Sequence, residues 1–163
     1  IIRGEGPLTP KIAGALPTVD LINMCFSGKY TKDEIYKRIS KDGGLIDHLG
    51  VSDARKVEKM IEEGDKYAKI VYDAMIYQIA KNVGYYACAL KGKVDVIILT
   101  GGMSNSKYLT QTLKEYVSWI APVEVMAGEF EMEALAGGVL RVKQGKIKAK
   151  TYTGIPVWDG FDK

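Results

Sequence analysis

The residues with the most chemical promise are Thr100-Gly101-Gly102-Met103-Ser104-Asn105-Ser106, which follow the apolar stretch Val94 to Leu99. A strand ending there leaves the loop at its carboxyl end, where open parallel sheets bind ligands and the next helix presents free amides. Gly101 and Gly102 let a flat or charged ligand reach the backbone with no Cβ between them, and Ser104, Asn105 and Ser106 can donate and accept hydrogen bonds. The same residues also read as a plain strand-to-helix turn in which a Ser or Asn caps the helix.

A second cluster, Glu129, Glu131 and Glu133, stands at the start of a later helix on the same side of the sheet. Carboxylates there favour the positive helix end, and capping accounts for most of them. Glu131 is the one suited to orient a hydrated Mg²⁺, whose hard charge prefers oxygen ligands and retained water. Gly137-Gly138, deep in that helix, cost about 1 kcal/mol each relative to Ala and predict a close helix contact or an adjacent ligand.

Other chemically suggestive residues lack the right company. Ser27-Gly28-Lys29 ends like a phosphate loop, but no glycine stands upstream at the required spacing and Tyr30 replaces the metal-holding Ser/Thr. His48 is the single histidine, so a Ser-His-Asp triad would have to use it; a surface or helix-end role is the simpler reading. Asp53-Ala54-Arg55 by itself is a charged helix start. Cys25 and Cys88 have neither metal-ligand spacing nor a disulfide framework, and read as reduced thiols of a cytoplasmic protein.

These groups need elements to position them. Gly4 to Pro17, rich in Gly and Pro, reads as an extended loop. Short helices follow at Leu21–Phe26 and, from a Thr31/Glu34 capping box, to about Ser40; one more turn covers Leu45–Leu49, and Ser52 or Asp53 caps a helix ending near Gly64. From Asp65 to about Leu90 apolar residues Tyr67, Ile70, Val71, Ala74, Met75, Ile79 and Val83 recur at helical spacing. Val83 to Leu90 is apolar almost all round, which predicts a central helix buried on most sides, with its tyrosines in the core and Gly84 admitting another backbone. Then come a strand at Val94–Leu99, a helix at Ser106–Trp119, a strand at Val123–Met126 and a helix at Glu129–Val142. Strand, helix, strand, helix implies parallel pairing with crossover helices, hence a helix-rich α/β domain. The expected organisation is a lead-in loop at 1–17, a domain at 18–145 and a tail at 146–163.

With 163 residues the chain has material for one domain of ordinary size. Its 23 Lys+Arg are interspersed with 20 Asp+Glu, for a formal charge of +3, so no basic block implies nucleic acid. Ile1 to Gly6 does not read as a signal peptide, and no apolar run reaches the ~18 residues of a membrane span. A soluble protein without a membrane partner is expected, and the missing initiator Met suggests a fragment.

Taken in order, GEGPLTP, Met24-Cys25-Phe26-Ser27-Gly28-Lys29-Tyr30-Thr31, GGLIDHLGVSDAR, EEGDKYAKIVYDAMIYQIAK, LKGKVDVIILTGGMSNSKYL, VSWIAPVEV and EMEALAGGVLRV resemble the C-terminal half of a butyrate kinase, through nearly the whole chain. That family stands with the acetate and propionate kinases in the superfamily of acetate and sugar kinases, Hsp70 and actin. The resemblance implies a ribonuclease-H-like (actin-like ATPase) α/β domain that, in an intact kinase, closes with an N-terminal domain over an ATP cleft. It implies reversible phosphoryl transfer between ATP and butyrate, with ATP/ADP and Mg²⁺ as cofactors, and a homo-oligomer at full length. Gly101, Gly102, Met103, Ser104, Asn105 and Ser106 match the family's adenosine loop, Asp53, Ala54 and Arg55 match a segment touching the adenosine from the other side, and Glu131 matches a carboxylate near the metal.

Two departures stand out. Pro10-Lys11-Ile12-Ala13-Gly14 occupies the place of the family's Pro-Glu-Arg-Ser-Gly, and Ile12 cannot neutralise charge on a transferring phosphoryl group as that arginine would. Lys11 is cationic, but it is a point charge one position away and no guanidinium fork. The family's N-terminal half, with a phosphate hairpin and the acyl pocket, has no counterpart in this sequence, so the isolated chain is expected to bind ADP weakly without kinase activity. The alternatives are a diverged, non-catalytic homologue serving as an interaction or regulatory module, and an unrelated Rossmann-type binder, which predicts a G-x-G-x-x-G that is not found.

Overall fold

In the computed structural model, residues 5–155 are described; the opening residues 1–4 and the end of the tail at 156–163, both included in the sequence expectations, lie outside them. The chain divides into two compact units, one reaching to Gly128 and one starting at Glu129.

The first unit begins with helices α1 (Thr18–Cys25) and α2 (Lys32–Ser40). The capping box that starts α2 is formed: the Glu34 amide donates to Thr31 Oγ1, and the Thr31 amide donates to the Glu34 carboxylate at 2.7 Å. The single turn α3 (Leu45–Leu49) follows, then α4 (Ala54–Glu62), capped by Asp53, and the long α5 (Lys66–Ala89), where the Asp65 carboxylate accepts from the Tyr67 and Ala68 amides. After α5 come strand β1 (Ile97–Gly101), a 3₁₀ turn at Gly102–Asn105, helix α6 (Lys107–Val117) and strand β2 (Val123–Ala127). The two strands pair in parallel with α6 as the crossover, Ile97 opposite Val123 through Gly101 opposite Ala127.

β1 starts three residues later than the apolar run predicts and runs on through Thr100 and Gly101. Its ladder begins where its partner does: the Ile97 amide donates to the Pro122 carbonyl at 2.9 Å, and Pro122 has no N–H to extend pairing backwards.

The core is built from Val57 of α4, Val71, Tyr72, Met75 and Ile76 of α5, and Leu109, Leu113 and Val117 of α6, closed by Leu8 and Leu45. The spacing of four in α6 is a helix laying one stripe on its neighbours. Each such side chain contributes roughly 1.5–3 kcal/mol by leaving water. On α5 the buried stripe is Ala68, Val71, Tyr72, Met75, Ile76 and Ala80. Tyr67, Ile70 and Ala74, which the periodicity puts among the inward positions, flank that stripe and are exposed.

The end of α5 corrects a second expectation. Tyr85, Tyr86 and Leu90 are exposed and a Cβ built on Gly84 meets nothing within 4 Å, so only Ala87 of this stretch is buried, and no backbone approaches Gly84 closely among the described residues. An all-round apolar helix has surface to bury, but burial needs a neighbour, and for Tyr85, Tyr86 and Leu90 none of the described residues supplies it. The sheet is half covered for the same reason. Ile97 and Leu99 pack against the core, whereas Ile98 and Met126 are exposed.

The lead-in segment is held by its backbone. Thr9 and Pro10 carbonyls accept from the Leu45 and Ile46 amides, and Ala13 donates to Ile39 of α2. Gly44 is obligatory here, since its φ is +64° and an added Cβ would lie 1.8 Å from the Thr9 carbonyl oxygen.

In the second unit, α7 (Glu131–Lys143) buries none of its residues, and a Cβ on Gly137 or Gly138 would meet nothing within 4 Å. The close helix contact predicted from that glycine pair is not formed among the described residues. Residues 148–155 have no regular secondary structure and are exposed.

Candidate functional site

Gly101 ends β1 with φ +86° and ψ 173°, a backbone conformation essentially restricted to glycine. A Cβ built there has open space around it, so the demand is for backbone freedom and leaves the neighbouring space clear. The turn that follows is braced by its own side chains. Ser104 is buried and its hydroxyl donates to the Thr100 carbonyl at 2.8 Å, and the Asn105 side-chain amide donates to the Gly102 carbonyl at 2.9 Å. Met103 packs on the core, while Gly102 and Asn105 remain exposed. Ser106 caps α6 by accepting from the Leu109 amide at 2.9 Å. The two sequence readings of this loop are therefore compatible: it is a capped strand-to-helix turn, and its glycine backbone is open at the carboxyl end of a parallel strand, beside a helix start.

Two groups behind the loop were not legible as part of it. Tyr72 of α5 is fully buried; its hydroxyl donates to Glu58 of α4 at 2.7 Å. Burial first, and then the Glu58 carboxylate, push the Tyr72 hydroxyl well above its ordinary pKa. Tyr108, in the first turn of α6, donates to Asp73 at 2.6 Å, while Lys69 donates to both Asp73 and Tyr108. Hydrogen bonding to Asp73 and then Tyr108 raises the Lys69 ammonium above the ordinary lysine value. Lys69 and Asp73 are four apart on one helix, a visible sequence signal; nothing in the sequence points to Tyr108 as their partner or to Glu58 as the partner of Tyr72.

Asp53 caps α4 and forms a two-pronged pair with Arg55, at 3.0 Å from Nε and 2.7 Å from the terminal nitrogen. The Arg55 guanidinium holds the Asp53 carboxyl below its usual range. The Arg55 side chain is 90% exposed, so the pair is worth little to stability. Ala54 packs on the same core as Met103, which fixes α4 and the glycine loop to one body.

Lys11 and Ile12 lie in a turn whose amides both donate to Thr9 Oγ1, and both are exposed. Glu131 and Glu133 occupy the first turn of α7, where Phe130 is the cap residue and no side chain caps the helix. Among the described residues no group of three His, Cys, Asp or Glu is arranged to hold a metal. His48 is exposed near the end of α3 with Nδ1 3.0 Å from the Tyr67 hydroxyl. Ser27 accepts from the Lys29 amide and donates to the Met24 carbonyl, closing α1. Cys25 and Cys88 are free and exposed. No helix among the described residues is long and apolar enough to cross a membrane.

The family model of the acetokinase family matches residues 20–126, about two thirds of the chain and all of the glycine loop. Among solved structures, an acetate kinase from Porphyromonas gingivalis is 21% identical with a TM-score of 0.73, over 83% of this chain and 41% of that one. A propionate kinase from Francisella tularensis subsp. tularensis SCHU S4 is 20% identical with a TM-score of 0.68, covering 78% and 39%, and an acetate kinase from Entamoeba histolytica 17% identical with 0.72, covering 83% and 43%. The likeness shows the fold, the helix-rich actin-like ATPase type. The chain spans about two fifths of the length of the structures it matches.

Proposed function

The chain belongs to the acetokinase family, and we propose that it is the nucleotide-binding part of a carboxylate kinase that moves a phosphoryl group between ATP and a short-chain carboxylate, butyrate by its sequence resemblance. The observation that carries this reading is Gly101, held in a glycine-only conformation at the carboxyl end of a parallel strand, immediately before a capped helix.

In this reading the backbone of Gly101 and Gly102 forms the floor for the nucleoside, with Asn105 at its edge. Met103, Ser104 and Ser106 act from behind, by packing and bracing the turn. Asp53, Ala54 and Arg55 contribute from the start of α4, Arg55 through an exposed guanidinium suited to a flat base or a phosphate. Mg²⁺, when bound with the nucleotide, would neutralise phosphate charge. Glu131 is the carboxylate proposed to orient it; one carboxylate with substrate phosphates and water is an ordinary set for this ion. The exposed sheet face at Ile98 and Met126 fits a chain that spans two fifths of its structural relatives, with the carboxylate pocket and further domain supplied elsewhere.

ADP titration followed by amide NMR tests the reading. Shifts centred on Gly101–Ser106 and Asp53–Arg55, saturating in the millimolar range, are expected. Absence of any shift at millimolar ADP overturns it.

A second reading, a non-catalytic homologue, is favoured by one observation: the position where the family carries its phosphate-neutralising arginine is Ile12, exposed and without a charge. Placing Ile12→Arg in a full-length protein separates the two. Butyrate-dependent ATP turnover already present without the substitution supports the kinase; no turnover with or without the arginine supports the homologue.

A further inference from the structure

Helix α5 carries a second stripe that the core does not use. Ala74, Tyr77, Gln78, Lys81, Asn82 and Tyr85 recur at steps of three and four, and with Gly6 and Ala15 of the lead-in segment they line a cavity of about 450 Å³. That volume falls within the range of small-molecule sites. None of the lining residues belongs to the glycine loop or to the start of α4.

The walls are held in place from both sides. The Leu8 amide donates to Gln78 Oε1 at 2.8 Å, which ties the lead-in segment to α5, and Leu8 itself is buried in the core. Within the segment the Ala15 amide donates to the Gly6 carbonyl at 3.0 Å. Gly14 has φ +80° and lies so close to the facing limb that an added Cβ would stand 2.6 Å from the Leu8 nitrogen. On the helix side the Asn82 amide donates to the Gln78 carbonyl at 2.9 Å. The Tyr77 ring meets Tyr116 of α6 edge on, with centroids 5.8 Å apart, and Lys81 Nζ is 5.6 Å from the Tyr77 centroid.

The chemistry of the lining is one-sided. No Asp or Glu lines the cavity; Glu5, next to Gly6 in the chain, is outside the lining. Lys81 makes no ion pair among the described residues, so its ammonium charge is uncompensated there. With Oε1 committed to the Leu8 amide, the Gln78 side chain keeps two N–H groups that donate to no described residue. Donors gathered around a cation favour an anion with several acceptor oxygens. Gly6, Ala15 and Ala74 leave the remaining space free of bulk, and Tyr77 supplies an aromatic wall beside it.

We propose that this cavity is a binding site for a small aromatic oxyanion, a carboxylate or a phosphate monoester, with its head group at Lys81 and Gln78 Nε2 and its ring over Ala74 beside Tyr77. The site is separate from the nucleotide loop and does not depend on the nucleotide reading.

Amide NMR of the 163-residue chain, titrated with benzoate and with phenyl phosphate, tests it, with benzyl alcohol and benzylamine as uncharged and cationic controls. Saturable shifts at Gly6, Ala15, Gln78 and Lys81 are expected with at least one of the anions and not with the controls, and the stronger of the two identifies the head group. Lys81→Gln removes an exposed charge, so it should weaken the anion by about tenfold while the melting temperature stays unchanged. Ala74→Leu, on the same exposed stripe, should block binding by filling the floor and leave Lys81 in place. No saturable shift with either anion at millimolar concentration overturns the proposal. So does an equal response to benzyl alcohol, an unchanged anion affinity in Lys81→Gln, or shifts centred on Gly101–Ser106 instead.

Discussion

Gly101 and Gly128 face each other across the end of the sheet, the Gly101 amide donating to the Gly128 carbonyl at 3.0 Å and the Gly128 amide returning the bond at 3.3 Å. Both have positive φ, +86° and +111°. The parallel ladder thus closes on an antiparallel bridge, and the chain turns away from it on either side with no side chain at the pivot.

Gly101→Ala is expected to destabilise the chain by about 1–3 kcal/mol, from backbone strain alone. Urea unfolding measures the loss, and ADP affinity should fall with it. A neutral result would mean that the loop adopts another backbone path at little cost.

Gly44→Ala should be far worse, about 3 kcal/mol or more, since strain there is joined by overlap with the Thr9 carbonyl. Gly84→Ala is the opposite case. Its site is mid-helix with open space, so replacing glycine should stabilise the isolated chain by about 0.5–1 kcal/mol. Chemical denaturation of the two variants checks the predicted contrast in sign.

Stability should fall in alkali. Tyr72, Lys69 and Tyr108 all hold their protons more tightly folded than unfolded. Their contribution is complete below the ordinary values of about 10 for Tyr and 10.4 for Lys, where both states are protonated. It is lost as pH rises through the raised folded values, because the unfolded chain releases these protons first. Tyr72→Phe removes the most buried of the three groups and should flatten the decline above pH about 10, read as melting temperature against pH.

Arg55→Ala separates binding from folding. The pair with Asp53 is at the surface, so the melting temperature should barely move, while ADP affinity drops. Equal ADP affinity with and without the guanidinium would remove Arg55 from the proposed site.

Much of the architecture can be read from local signals. Thr31 with Glu34, and Asp53 and Asp65 ahead of their helices, fall where side-chain caps satisfy free amides, so helix starts are legible. Parallel pairing of β1 and β2 follows from the helix between them. Glycines at 101 and 102 are legible as a loop with open backbone, because that property belongs to the residue type.

Partnership is less legible. The stripe on α5 is displaced from the apolar list because seven apolar positions cover more than one face, and α4 and α6 select which of them is buried. Tyr85, Tyr86 and Leu90 are apolar and yet exposed, since apolar character provides the drive to bury and only a neighbour provides the place.

What the sequence determined by itself is what the backbone and the nearest residues settle: caps, turns, the order of elements, and the glycine freedom at the end of β1. Tertiary structure alone decided that Tyr72 reaches Glu58, and that Tyr108 reaches Asp73 and Lys69. Those meetings depend on how α4, α5 and α6 pack, and residues 14 to 39 positions apart carry no local signal of a shared hydrogen bond.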